Sequence, residues 1–225
     1  LKDAIIEHYG EEKGNILYLR YHNAFPAGYK EQFIARTAVY DIEHMQSLSP
    51  TNNLAMSFYR PLDEAPGVIR FKLFHMGAAI PLSDVVPMLE NMGLRVIDQK
   101  PHEIKTLDFQ TTLIDDFGMI HESVEALNVD AVKDVFQEAF YYVWNGHAEN
   151  DGFNRLVLKA GFHWREVMVL RGYAKYLWQL GFSFSQNYIE ETFANNAPIA
   201  AQLLELFMLR FDPSLPMESK NTGAN

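Results

Sequence analysis

Among the titratable residues, the stretch His121-Glu122-Ser-Val-Glu125 comes nearest to metal chemistry. A zinc-binding helix of the hydrolytic kind needs two histidines four residues apart, so that both imidazoles meet the ion from one face. Glu125 stands where the second histidine would be, and no metal site is expected. The remaining histidines, at 8, 22, 44, 75, 102, 147 and 163, are scattered, and each is read as solvated or held by a single partner. Asp115-Asp116 could be a carboxylate pair, but a glycosidase pair sits on separate elements across a cleft. Leading into Phe117-Gly118, the two aspartates have the composition of a turn. Arg165, Arg171 and Lys175 could hold an anion, although charges carried on a helix more often face water. Arg171, Lys175 and Gln179 are therefore placed on a solvated face.

The loop Met76, Gly77, Ala78, Ala79, Ile80 is the better candidate for binding. A glycine between a strand and a helix start exposes N–H groups to a carboxylate, such as that of an amino-acid effector. The plainer reading is a tight strand-to-helix connection, and it is the favoured one. Other chemistries lack their residues. No glycines have dinucleotide-fingerprint spacing, no glycine is followed by lysine as a phosphate-binding loop needs, and no Gly-x-Ser-x-Gly elbow occurs. The absence of cysteine excludes disulfides and thiolate catalysis.

Composition narrows the partners. A formal charge of −10 argues against nucleic acid and against an anionic membrane. No apolar run reaches the roughly 18–20 residues of a membrane span, and no signal peptide is visible. A cytoplasmic location fits. With 225 residues and 48% hydrophobic content, the chain can bury one large core or two small ones. It begins with Leu1 rather than Met, which reads as a segment of something longer.

The elements that must position these residues follow from periodicity. Residues 1–14 are polar with a short apolar patch, Ala4-Ile5-Ile6, and read as either a helix or an ordered lead-in. Ile16 to Tyr21 alternates as a strand, followed by turn chemistry to Gly28 and a helix to about Gln46 with Ile34, Ala38, Ile42 and Met45 inward. Leu54–Tyr59 and Val68–His75 are strands joined by a turn at Pro61 to Gly67. A helix capped by Ser83, with Pro87 in its first turn and Val86, Leu89 and Met92 on one face, ends at Gly93. Leu94 to Ile97 returns as a strand. Residues 105–120, with Leu107, Phe109, Thr111 and Leu113 alternating, add a further strand at an edge. From about Asn128 the period becomes 3.6. Helices are expected from Asp130 to Asn145, Phe153 to Ala160 and Trp164 to Leu180. Two more follow, one capped by Ser185 and the last with Ile199, Leu203, Leu206 and Phe207 inward. The domains are thus a lead-in (1–14), an α+β domain (15–122), a helical domain (123–213) and a disordered tail (214–225). The fold class is α+β, a ferredoxin-like βαββαβ antiparallel sheet with an extra strand, followed by an all-α bundle.

Several longer stretches carry a family resemblance. They are Asp41-Ile-Glu43, Arg70-Phe-Lys-Leu-Phe74, Pro81 through Val96, Ala148 through Val157, Trp164-Arg-Glu166, Tyr188-Ile-Glu190 and Arg210-Phe-Asp-Pro213. In this order they resemble the large bacterial NAD-specific glutamate dehydrogenases, in the region that precedes the catalytic domain. The resemblance implies an ACT-like module followed by helical motifs. It also implies a parent enzyme that oxidatively deaminates L-glutamate to 2-oxoglutarate and ammonia with NAD as hydride acceptor. The family's catalytic lysine, catalytic aspartate and Rossmann glycines lie further along its chain, and no residue here matches them. The expectation is a non-catalytic regulatory and assembly segment with no catalytic, cofactor-binding or metal residues. Its partners are the remainder of its own parent chain and sister copies in a homo-oligomer, and an amino-acid effector would sit at Met76–Ile80. The Asp-x-Pro-Gly loop of amino-acid-binding ACT domains is absent. Two alternatives stay open: a free-standing amino-acid sensor acting through Gly77, and a metal-dependent hydrolase resting on His121 and Glu122.

Overall fold

Ile16 to Tyr21 lie in a helix, not a strand. A computed structural model describes residues 1–61, 64, 67–121, 127–211 and 213. In it α1 (Lys2–Tyr9) and α2 (Glu11–Tyr21) form a helical hairpin about Gly10, whose φ is +80°. Leu17 and Tyr21, one helical turn apart, are buried, while Ile16 and Leu19 are exposed. Both sides of the segment are apolar, so period two and period 3.6 fit it equally well. Gly14 decides between them through packing. A Cβ there would come within 2.9 Å of the Ile6 Cα, so glycine allows α1 and α2 to close on each other. The expected single helix after Gly28 is two, α3 (Ala27–Gln32) and α4 (Ala35–Gln46). Ile34 caps α4 in extended geometry and is exposed, and the buried stripe runs through Ala38, Val39, Asp41, Ile42 and Met45.

The sheet contains β1 (Leu54–Tyr59), β2 (Val68–Met76), β3 (Leu94–Lys105) and β4 (Thr111–His121) in the order β1-β2-β4-β3. β2 pairs antiparallel with β1 and with β4, Arg70 lying opposite Gly118 and Lys72 opposite Asp116. α5 (Leu82–Asn91) connects β2 to β3, and β4 inserts between those two strands, the split βαβ arrangement. The α+β class and the antiparallel sheet stand as expected, but the connectivity is ββαββα behind four helices. β4 is the strand expected at an edge, and it is central. Leu107 and Phe109 belong to the turn joining β3 and β4, closed by bonds from Thr106 N–H to Gln110 O and from Phe109 N–H to Thr106 O, both 3.0 Å. That turn contains neither glycine nor proline, so apolar alternation runs unbroken through it. Phe109 takes a φ of +60° and is 95% exposed.

α5 differs in detail from its expectation. It starts at Leu82, which puts Ser83 inside the first turn, where its hydroxyl bonds Asp84 Oδ1 at 3.2 Å. Pro87 is inside the helix, where its missing N–H removes a bond to the Ser83 carbonyl. The core face is Val85, Leu89 and Met92. Gly93 ends the helix at φ +86°, as its position requires.

The chain divides into two compact units, Leu1–Pro81 with Val96–Ile120, and Leu82–Arg95 with His121–Asn225. In the first, Phe74, Ile104 and Ile114 on one sheet face pack with Ile5, Leu17, Tyr21, Phe25, Tyr29 and Ile42. The second holds α6 (Val129–Trp144), a 3-10 turn at Gly152–Asn154, α7 (Arg155–Ala160), α8 (Trp164–Gln179), α9 (Gln186–Asn195) and α10 (Ala197–Phe211). The short α7 touches α6, α8, α9 and α10, with Leu156, Val157 and Leu158 all buried. Side chains of Asn128 and Ser185 cap α6 and α9. In α10 the buried residues are Ala200 and Leu204, not the expected Ile199, Leu203, Leu206 and Phe207. Apolar residues surround that helix, so spacing could not mark its inner side. Among the described residues, no helix is long and apolar enough to cross a membrane. The expected tail, 214–225, lies outside the described residues, as does most of the turn at 61–67.

Candidate functional site

Two cations alternate along β2 onto one face of the sheet. Arg70 and Lys72 are 2% and 1% exposed, and the acids facing them, Asp116 and Asp41, are 0% and 3% exposed. Charges this deeply buried must be paired, since an isolated one would cost several kcal/mol. Lys72 Nζ lies 2.6 Å from Asp41 Oδ2 and 3.9 Å from the centroid of the Phe33 ring, with Tyr29 and Tyr59 on its other sides. The Tyr29 hydroxyl donates to the same Asp41 oxygen at 2.5 Å. Arg70 Nε donates to Asp116 Oδ1 at 3.0 Å, and Nη1 reaches Asp98 at 3.1 Å and Glu64 at 3.3 Å. Gly118 makes room for this arrangement. A Cβ at that position would stand 2.7 Å from the Asp98 carboxylate.

The cluster sets its own protonation. Burial pushes the Asp116 carboxyl up, against the opposing hydrogen bond and charge of Arg70. Burial also raises the phenols of Tyr29 and Tyr59, reinforced by Asp41 for the first and by Asp116 for the second. Burial would lower Arg70, but the bond and charge of Asp116 outweigh it and leave the guanidinium above its ordinary value. The four buried charges hold one another, and the tyrosines stay neutral. The geometry is that of a clamp joining α3 and α4 to the sheet.

His102 packs edge-on against Tyr29 and Phe33, with ring centroids 5.3 and 5.8 Å away. It is buried, contrary to the solvated reading, and its Nε2 has no hydrogen-bond partner. Burial, then the Lys72 charge, lowers its pKa below the ordinary 6.5. Its folded pKa is therefore the lower one. The stability it contributes is complete above the unfolded value and is lost as pH falls through the folded value. Urea unfolding between about pH 7 and 5 should show a steeper loss for the native chain than for His102→Leu. Parallel profiles would contradict the assignment.

On the opposite sheet face, Asp115 accepts from Gln99 Nε2 at 2.6 Å and pairs with His75 Nε2 at 2.9 Å. Asp115 and Asp116 are therefore neither a turn nor a carboxylate pair. They are mid-strand neighbours whose side chains point to opposite faces, as the pleat demands.

The second unit contains a comparable lock. Arg171, expected on a solvated face, is 2% exposed. Its Nε and Nη2 grip Asp151 at 2.7 and 2.8 Å, and Nη2 also donates to Asn154 Oδ1 at 3.0 Å. Asp151 in turn accepts from the Phe153 N–H, and Asn154 Nδ2 donates to the Glu149 carbonyl. Gly152 lets Glu190 approach, since a Cβ would stand 2.5 Å from its Oε2. Lys175 pairs with Glu149 nearer the surface, while Arg165 is exposed over the Trp164 ring.

Met76 ends β2, and the loop at 77–80 that follows has Gly77 at φ +99° with open space around it and Gly77, Ala78 and Ala79 exposed. A cavity of about 690 Å³ in the same unit is lined by other residues, from Asn23 to Gln32 and from Gln99 to Lys105. His121 ends β4, and Glu122 and Glu125 lie outside the described residues. Among the described residues no group of three or more histidines and acids could hold a metal ion.

The buried clusters were missed because each residue was weighed alone. Arg70 and Lys72 share a face by period two, and Asp41 lies on the same helical stripe as Ala38, Ile42 and Met45. Those spacings were the available signal.

Family models and curated relatives agree with this architecture. Residues 4–48 match the glutamate dehydrogenase helical motif 2, 53–132 its ACT3 domain and 148–213 its helical motif 3. The chain is 47% identical over 214 residues to an NAD-specific glutamate dehydrogenase of Halomonas elongata, covering 95% of this chain. It is 39% identical over 207 residues to the Pseudomonas aeruginosa enzyme of that name and 32% identical over 211 residues to the Mycobacterium tuberculosis one. In each of those two matches 92% of this chain is covered. The chain spans 13% of the length of each of these relatives. With helical motif, ACT3 domain and helical motif in that order along nearly its whole length, the chain belongs to the NAD-specific glutamate dehydrogenase family.

Proposed function

We propose that this chain is a non-catalytic regulatory and assembly region of an NAD-dependent glutamate dehydrogenase. The parent reaction is L-glutamate, NAD and water to 2-oxoglutarate, ammonia and NADH, with the catalytic groups and the NAD site elsewhere in the polypeptide. The observation that carries this reading is what the buried charges do. Arg70, Lys72, Asp41 and Asp116 in one unit, and Arg171 with Asp151 in the other, are paired with each other. Residues arranged this way fix the shape of a module. The region serves the parent by packing against the remainder of its chain and against sister copies in a cytoplasmic homo-oligomer.

Incubated with L-glutamate and NAD, the isolated 225-residue chain should form no NADH. The second reading, an amino-acid sensor, draws on the exposed left-handed Gly77. Calorimetry on the same preparation separates the two. Silence across a panel of amino acids leaves a plain connecting loop, whereas binding abolished by Ala78→Asp would make Met76–Ile80 an effector site.

A further inference from the structure

α10 is built for an interior. Ile199, Leu203, Leu206, Met208, Leu209 and Phe211 are all exposed, and the helix buries only Ala200 and Leu204. Helices apolar on all sides belong inside a protein, and contiguous apolar patches of this kind mark interaction surfaces. Next to α10 lies an open groove of about 340 Å³. One wall is Tyr173, Tyr176 and Leu177 of α8, the other Leu206 and Phe207 of α10, and among the described residues that line it Arg210 alone is charged. Tyr173 stands edge-on to Phe207 with ring centroids 6.0 Å apart, and Phe207 packs on Phe211 at 4.9 Å. Aromatic walls of this sort suit anchors from one face of an amphipathic helix.

We infer that the groove between α8 and α10 seats an amphipathic helix of the same parent polypeptide, from outside residues 1–225. This rests on the proposal that the chain is a region of a larger dehydrogenase. The chain spans 13% of its relatives' length, so most of such a polypeptide remains to supply the occupant. A tethered segment also has an effective concentration of about millimolar, which a separate partner must match in solution. The helix would lay apolar residues at i, i+3 or i+4 and i+7 into the groove, with an acidic residue beside Arg210.

The test uses the absence of cysteine from the native chain. Leu206→Cys places a thiol on the groove wall, and Tyr173→Cys provides a second reporter opposite it if the first disturbs folding. Glu103→Cys, at an exposed position in the other unit, serves as control. Each is introduced into the isolated chain and into a full-length parent dehydrogenase, and thiol labelling is read from the tryptic peptide that contains it. The groove thiols should label about tenfold or more slowly in the parent than in the isolated chain, with the control differing much less. Equal labelling in both overturns the inference. Protection already present in the isolated chain also overturns it, in favour of a second copy if dilution relieves it and of the chain's own residues after Phe211 if dilution does not. NADH formation by the isolated chain would refute the non-catalytic reading while leaving these labelling rates untouched, so the two failures are separable.

Discussion

Asp41→Ala is expected to lower the stability of the chain by about 3–5 kcal/mol, because it leaves the Lys72 ammonium buried without its counter-ion. Asp41 Oδ2 is the shared acceptor for Lys72 Nζ and the Tyr29 hydroxyl, so one substitution also orphans a buried phenol. The neighbouring rings of Phe33, Tyr29 and Tyr59 attract a cation but supply no formal negative charge. The loss should therefore come from the stranded lysine and not from any fault in α4. Asp41→Ala combined with Lys72→Met distinguishes the two. Removing both charges should recover most of the stability, since a buried ion pair replaced by apolar side chains is often close to neutral. Urea unfolding of the three proteins measures the coupling directly. A loss below about 1 kcal/mol for the single variant would mean that the pair is far more solvated than its burial indicates.

Arg171→Ala should cost a similar amount, about 3–5 kcal/mol, by stranding Asp151 and the Asn154 amide oxygen beneath α8. Arg171→Lys should rescue little of it. The interaction is a planar fork with Nε and Nη2 on the two Asp151 oxygens, and an ammonium cannot reproduce that geometry. Arg165→Ala, on the exposed side of the same helix, should stay within about 0.5 kcal/mol of the native chain. If Arg171 and Arg165 behaved alike under thermal or urea unfolding, the buried lock would not exist.

Much of the fold was legible in local signals. Ser185 before α9 and Gly93 and Gly161 at helix ends are chemistry that acts within one turn, and all appear where expected. β1 and β2 were clear because short apolar runs lie between turn residues, with Phe58 and Tyr59 in β1 and Val68, Ile69, Phe71 and Phe74 in β2. Errors arose where apolar residues covered both sides of a segment. Ile16–Tyr21 fits a strand or a helix equally well, and the contact of Gly14 with Ile6 in α1 settles it. Leu107 and Phe109 prolonged a strand's alternation through a turn whose geometry depends on Thr106 and Gln110. The charged clusters were the hardest to see. Asp41 and Lys72 are 31 positions apart and meet only because α4 packs on β2, while Arg70 and Asp116 are 46 apart and meet through the register of β2 with β4. Arg171 looked solvated because its partners lie in a loop about 20 residues upstream. Family membership was legible for a different reason: long collinear stretches carry more information than any single motif.

On the proposed function, this region shapes a dehydrogenase without taking part in its chemistry. The most direct measurement is NADH absorbance from the isolated chain supplied with L-glutamate and NAD, run beside a full-length parent enzyme. The account predicts steady turnover by the parent and none above buffer by the isolated chain. Glutamate-dependent NADH formation by the isolated chain, proportional to its concentration, would contradict it.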